Sequence, residues 1–520
     1  MNIDPASESI VQSSNNLKAR RIALDTHDEP VIITRRDCAV CRSEGFSAHA
    51  RVQLRAGQKT VIATLYQIDS ELLGLDEAAL SESAWRLLEV QQDDLIHLSH
   101  PHPLQSLGSL RGRIYGQRFT RDSLRDILED VAAGHYADIH LAMLLTVMAT
   151  RPMDDKELIY LTEAMIDVGE RLSWPRATIA DKHCVGGLPG NRTTPLVVAI
   201  GAACGLWMPK TSSRAITSPA GTADTMEILT RVDLPLADMR RVVEQENGCL
   251  VWGGSVGLSP VDDMLIRVAR VMDLDAEAQL VASVLSKKIA AGASHLVLDL
   301  PVGATAKVRT AADAKALAER LEAVASAFGL KTRIMLTDGK QPIGNGIGPA
   351  LEARDILAVL EQAPDAPADL RSRSLELAGA LLELCGTAEA GHGIRQATEA
   401  LDSGRAMTKL VAICEAQGRF TRPKLARHRV SVQAARSGQI GLFDNRRLSR
   451  LAKLAGAPGA ASAGVDLHVH LGDSVEAGQP LYTIHAESVG ELNYAREFAG
   501  ANGDIVRILP PGSDSDEAVA

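Results

Sequence analysis

The sequence predicts an α/β fold: a small helical lobe beside an α/β lobe with a mainly parallel sheet, and β-rich domains at both ends. Three observations carry this reading. After Asp181, apolar strand candidates alternate with helical patterns, the signature of parallel strands joined by helices on the sheet faces. Between Gly116 and Leu172 the apolar period is helical instead. Residues 1–100 and 423–510 carry short β-branched, alternating runs bounded by turn residues.

In chain order, Val31-Ile-Ile-Thr34, Ala50-Arg-Val-Gln-Leu54 and Thr60-Val-Ile-Ala-Thr-Leu-Tyr66 read as strands of a β-rich N-terminal domain over 1–100. His97, His100 and His102 sit in a proline-flanked stretch that reads as a linker rather than a metal cage. The helical lobe, 105–180, is expected to be joined by part of 190–290. Its first helix has Thr120 as N-cap, Leu124, Ile127, Leu128 and Val131 on one face, and Gly134 as its stop. Further helices are predicted over 138–149 and 154–172. In the α/β domain, 181–420, the strand candidates are Leu250–Trp252, His295–Leu300 and Thr332–Thr337. Helical patterns cover 260–269, 277–291, 311–328 and 349–361, then roughly 368–386 and 394–416. The glycine-rich turn Thr337–Pro349 reads as structural. The last block, 423–510, has strand alternation from Val465 to His485, with His468, His470 and His485 expected to face solvent. The acidic residues 511–520 read as a disordered tail.

Composition bounds the function. At 520 residues, with 46% hydrophobic and 23% charged residues, the chain has the make-up of an ordinary globular protein of about three domains. A net charge of −10 and 3% aromatics argue against nucleic acid or an anionic membrane as partner. The N-terminal residues lack a signal-peptide core, and the apolar run Leu196–Pro209 is too short to span a bilayer, so a cytoplasmic location is expected. Seven scattered cysteines make no disulfide framework, and Cys38-Ala-Val-Cys41 reads as two reduced structural thiols.

Chemistry concentrates in two polar loops around a short apolar helix, roughly Thr194 to Gly205. The first is Asp181-Lys-His-Cys-Val-Gly-Gly-Leu-Pro-Gly-Asn-Arg-Thr-Thr-Pro195. The second is Thr211-Ser-Ser-Arg-Ala-Ile-Thr-Ser-Pro-Ala-Gly-Thr-Ala-Asp-Thr-Met-Glu227. Glycines allow close backbone approach, and each loop leads into a helix whose first N–H groups favour an anion. Lys182, Arg192, Lys210 and Arg214 add positive charge there. Phosphate is the simplest ligand for such a site.

The stretch Asp181-Lys-His-Cys-Val-Gly-Gly187 resembles the signature of the thymidine/pyrimidine-nucleoside phosphorylase family. Gly190–Pro195 and the seventeen residues Thr211–Glu227 resemble its AMP phosphorylase branch more closely, and the likeness runs from about residue 105 to 505. The resemblance implies a pentosyltransferase in which phosphate attacks C1′ of a nucleoside or nucleotide and the base departs. No metal and no organic cofactor is implied, and a homodimer or larger homo-oligomer is. It places Lys182, Thr193, Ser212 and Thr222 on phosphate. Gly187, Ser213, Arg214, Ala215, Ile216, Thr217, Ser218, Thr222 and Lys307 fall in nucleotide-binding segments. Asp275 matches the proton donor, and His183 lies near the base or orders the loop. Ser283 and Lys287, one helical turn apart, match a base-binding pair. Cys184 stands where the family usually has serine. Arg192 together with Ser213–Ser218 supplies more anion donors than one phosphate needs, which favours a nucleoside 5′-monophosphate as substrate. The alternatives are thymidine phosphorolysis and phosphoribosyl transfer, which would need magnesium and an acidic pair such as Asp262-Asp263. A non-enzymatic nucleotide-binding role is the remaining reading.

Overall fold

The structure is a computed structural model that describes residues 15–26, 28–215, 218–272, 274 and 276–510. These form two compact units, divided between Leu144 and Leu145.

The first unit begins with six strands: β1 (Asn16–Leu24), β2 (Val31–Arg35), β3 (Arg51–Ala56), β4 (Lys59–Ile68), β5 (Glu77–Ser81) and β6 (Leu95–Ser99). They close into a barrel in the order β1-β5-β2-β4-β3-β6, which leaves no free sheet edge. Inward residues from alternate positions, among them Leu17, Ile32, Val52, Leu54, Leu65, Leu80, Ile96 and Leu98, fill it. Cys38 and Cys41 join this core. The Cys38 sulfur caps the helix Ala39–Glu44 by accepting the Cys41 N–H at 3.2 Å, so the C-x-x-C spacing serves a helix start. His97 corrects the linker reading, because it lies in β6 and its ring nitrogen sits 3.2 Å from the Asn16 side chain. The helix Arg121–Ala132 starts at Thr120, buries Leu124, Ile127, Leu128 and Val131, and is followed by Gly134 at φ +73°.

The second unit contains the parallel sheet. Its strands are β7 (Ala180–Cys184), β8 (Met208–Ser212), β9 (Gly248–Trp252), β10 (His295–Val302) and β11 (Lys331–Asp338). Strands β11-β10-β7 pair in parallel, as do β8-β9, and a parallel bridge from Ile179 to Trp207 links the two groups. All five carboxyl ends therefore point to one edge, where ligands of such sheets bind. The helix Thr193–Ala203, buried from Thr193 to Ala202, sits in the main core with the helices Pro349–Leu360 and Ala368–Leu384. The helix Glu277–Ala290 packs on Asp155–Asp167, which starts with an Asp154–Glu157 capping box.

The glycine-rich turn after β11 contributes β12 (Gly346–Ile347), which pairs with the strand Gly464–Leu467 of the C-terminal domain. That domain consists of β13 (His428–Gln433), β14 (Gly438–Phe443), β15 (Gly464–Leu467), β16 (Ser474–Val475), β17 (Pro480–Ala486) and β18 (Val506–Leu509), with two helices. The sheets β12-β15-β17-β13 and β16-β14-β18 share one apolar core with those helices, Asn445–Leu454 and Val489–Ala501. His485 differs from its expected solvent position. It is 2% exposed, and burial pushes its imidazole down to about 4. The expected tail, 511–520, lies outside the described residues.

Candidate active site

The site is built at the carboxyl edge of the parallel sheet, and β7 organises it. Side chains alternate along a strand, so Lys182 and Cys184 face one side while Asp181 and His183 face the other.

On the first side Lys182 is fully buried and its Nζ donates to Thr193 Oγ1 at 2.7 Å. Its charge is balanced by Asp299 at 3.9 Å, a buried carboxylate on β10 directly beside Cys184 in the strand register. Thr337 Oγ1 donates to Asp299 at 2.6 Å, and Asn191 Nδ2 reaches both Asp299 (3.3 Å) and the Cys184 sulfur (3.2 Å). Burial, then the Asp299 charge, push the Cys184 thiol up, so it stays protonated. A thiol is a weaker donor than a hydroxyl. Cys184→Ser is therefore expected to tighten phosphate binding by about 1 kcal/mol, roughly a fivefold fall in KM for phosphate. An unchanged or higher KM would show that this side chain makes no phosphate contact.

On the opposite side Asp181 is clamped between Lys210 Nζ at 3.2 Å and Lys288 Nζ at 3.0 Å, all three side chains being at least 95% buried. Lys288 also reaches the Thr211 carbonyl at 3.4 Å, tying the helix Glu277–Ala290 to β8. His183 is neutral in these surroundings. Burial holds its imidazole well below the usual histidine range, and Lys288, Lys210, Lys287 and Lys182 add to the effect. A neutral ring can donate a hydrogen bond to a departing base from one nitrogen.

The second loop leaves β8 at Ser212, whose buried hydroxyl has no hydrogen-bond partner among the described residues. Asp224 stitches this loop to the helix Thr222–Leu229 by accepting the N–H groups of Ala215 (2.7 Å) and Gly221 (2.8 Å). Ser218 Oγ donates to the Ala220 carbonyl at 2.7 Å, and Ser213 is exposed. Arg214 forks onto Glu227 at 2.6 and 2.9 Å and reaches Asp224 at 3.2 Å. Its fork, expected on a substrate phosphate, is thus engaged by carboxylates. Ile216, Thr217 and Asp275 lie outside the described residues.

Gly187 has φ +89°, and a Cβ there would stand 3.2 Å from the Lys307 side chain, so these two expected contacts are neighbours. Gly190 has φ +72° and lies so close to the Ile343 carbonyl that a Cβ would be 2.5 Å from it. Ser283 and Lys287 come together at 3.2 Å, and Lys287 also bonds the buried Asp262 at 2.5 Å. Asp262 is therefore the counter-ion of Lys287 through one oxygen, while its buried Oδ1 has no hydrogen-bond partner among the described residues. Arg192 also departs from expectation. It bonds buried Glu352 at 2.5 Å, Thr225 at 3.2 Å and the Ala220 carbonyl, so it staples both loops to the helix Pro349–Leu360 rather than facing an anion.

Asp299, Lys288 and Glu352 were not legible as site residues. The available signals were a lone carboxylate inside the apolar run His295–Leu300 and a second lysine after Lys287. A cleft of about 540 Å³ on the first unit, lined by Arg35, Arg36, Asp37, Arg42, Asp69, Ser70 and Glu71, has its own ion pairs, Arg35–Asp37 at 2.8 Å and Arg36–Asp69 at 3.2 Å.

A buried lysine, hydroxyls and glycine loops gather at one sheet edge, with a Ser–Lys pair on the helix Glu277–Ala290, and such groups suit an anionic ligand. Comparison with known proteins agrees. Residues 176–407 match the α/β domain of a glycosyl transferase family, 109–169 its helical bundle domain, and 440–505 the pyrimidine nucleoside phosphorylase C-terminal domain. A protein named "Putative thymidine phosphorylase" from Polaromonas sp. (strain JS666 / ATCC BAA-500) is 54% identical over 495 residues, covering 95% of this chain and 97% of its own. One of the same name from Chelativorans sp. (strain BNC1) is 56% identical over 494 residues, covering 95% and 97%. The chain belongs to the thymidine/pyrimidine-nucleoside phosphorylase family, pentosyltransferases that take a nucleoside and phosphate. Anthranilate phosphoribosyltransferase from Thermus thermophilus shares the fold, with a TM-score of 0.51 and 19% identity over 59% of this chain and 99% of its own. Among the described residues no helix is long and apolar enough to cross a membrane.

Proposed function

We propose that the enzyme phosphorolyses a nucleoside 5′-monophosphate, giving free base and ribose 1,5-bisphosphate. The observation that carries this reading is the separation of two cationic positions. Lys182 is fully buried beside Thr193, whereas the Arg214 side chain is 37% exposed on the second loop. The first suits inorganic phosphate as nucleophile and the second suits the 5′-phosphate of the substrate. A phosphate oxygen attacks C1′ as the C1′–N bond breaks, and the bonding pair leaves on the base, which takes up a proton. Lys182, Thr193, Ser212 and Thr222 orient the nucleophile, an effect worth up to about 7 kcal/mol. Ser283 and Lys287 hold the base, with neutral His183 as a donor near it and Asp275 as proton donor by likeness to the AMP phosphorylases. The reaction needs no cofactor, because phosphate itself is the second substrate. Thymidine phosphorolysis is the second reading, favoured by the names of the relatives and by the engagement of Arg214 with Glu227.

A charge-assisted contact is worth about 1.5–3 kcal/mol, so kcat/KM for a 5′-monophosphate should exceed that for its nucleoside at least tenfold. The preference should shrink in Arg214→Ala. Equal or better use of thymidine or uridine would remove the nucleotide reading and leave the phosphorylase assignment standing.

A further inference from the structure

Arg214 has two carboxylate partners that differ in what else holds them. Asp224 is fixed: its Oδ2 accepts two backbone N–H groups, and only Oδ1 meets Arg214. Glu227, on the solvent side with its side chain 46% exposed, gives both oxygens to the guanidinium. The other face of the guanidinium is supported by the Trp252 ring at the end of β9, with Cζ 5.0 Å from the ring centroid. Arg419 lies close to Glu227, its Nη2 3.5 Å from the Glu227 carbonyl, and its charge helps hold the Glu227 carboxyl below the usual carboxylate range after Arg214 itself.

We infer that Glu227 is an internal placeholder for an organic phosphate monoester on Arg214, released toward Arg419 when the ligand arrives; this rests on the nucleotide reading above. Two oxygens of a tetrahedral, dianionic phosphate monoester match the same two N–H donors that Glu227 occupies. Trp252 and Asp224 keep the guanidinium in place while its outer partner changes, so the exchange moves one exposed glutamate and no backbone. The arrangement makes Glu227 a specificity-determining residue. It neutralises the fork when the substrate lacks a 5′-phosphate, and it sets the threshold that a phosphorylated substrate must exceed.

The test is calorimetric titration of the full chain with ribose 5-phosphate, for wild type, Glu227→Gln and the double variant Glu227→Gln/Arg214→Met, with thermal melts verifying folding. An exposed ion pair is weak, so its removal predicts a Kd about fivefold lower in Glu227→Gln, with the gain abolished in the double variant. An unchanged or higher Kd in Glu227→Gln, no detectable binding to it, or a gain that survives loss of Arg214 would each overturn the placeholder. The wild-type ratio of kcat/KM for a 5′-monophosphate and its nucleoside is a separate readout. A ratio at or below one removes the nucleotide reading, whereas the Kd comparison judges Glu227.

Discussion

Lys182→Met is expected to lower phosphorolysis about a hundred- to a thousandfold, the scale of removing one charge-stabilising donor from a buried site. The loss should persist at saturating phosphate, because in the proposed reaction the lysine would orient the nucleophile during attack as well as bind it. Methionine keeps most of the side-chain volume, which alanine at this fully buried position would not. The substitution also leaves Asp299 with the neutral donors Thr337 and Asn191. Some stability should be lost, and adding Asp299→Asn should restore it without restoring turnover. Near-wild-type turnover in Lys182→Met would remove the lysine from the phosphate site.

The largest effect on stability is expected at Asp181. Asp181→Asn removes the carboxylate between Lys210 and Lys288, and breaking a buried pair by deleting one partner costs about 3–5 kcal/mol. The effect carries a pH signature. Burial pushes the Lys288 ammonium down to about 7 from its ordinary 10.5, with Asp181 opposing the shift. Between those values the unfolded chain binds more protons than the folded one, so Lys288 makes stability rise with pH across that window. Without Asp181 the ammonium is still less favourable, and the rise should begin at lower pH. Urea unfolding should therefore show the deficit of Asp181→Asn near its full size around pH 6 and smaller at pH 9. A deficit under about 1 kcal/mol, or one independent of pH, would mean that the clamp contributes little.

What could be read in advance follows from which interactions are local. The strands at Leu250–Trp252, His295–Leu300 and Thr332–Thr337 are apolar runs between turn signals, and each lies within an observed strand. Barrel strands β1 (Asn-Leu-Lys-Ala-Arg-Arg-Ile-Ala-Leu) and β5 (Glu-Ala-Ala-Leu-Ser) carry no such pattern. Their residues suit helices as well as strands, and it is barrel closure that makes them extended. The two loops were legible because their chemistry is written in consecutive residues. Their supports were not: Glu352 is 160 positions from Arg192, and Asp299 lies 117 positions from Lys182. Arg192 shows the consequence, since an arginine beside a phosphate loop is read as an anion donor until its buried partner is seen. His485 shows the same for burial, because alternation identifies a shared face but not which face is solvated.

The central claim is the chemical identity of the substrate, and phosphorus NMR of the reaction mixture tests it most directly. With a nucleoside 5′-monophosphate and inorganic phosphate, wild-type enzyme should consume both and produce two sugar-phosphate resonances of equal intensity, those of a 1,5-bisphosphate. Formation of a single sugar 1-phosphate from thymidine or uridine, with the 5′-monophosphate left intact, would contradict the account.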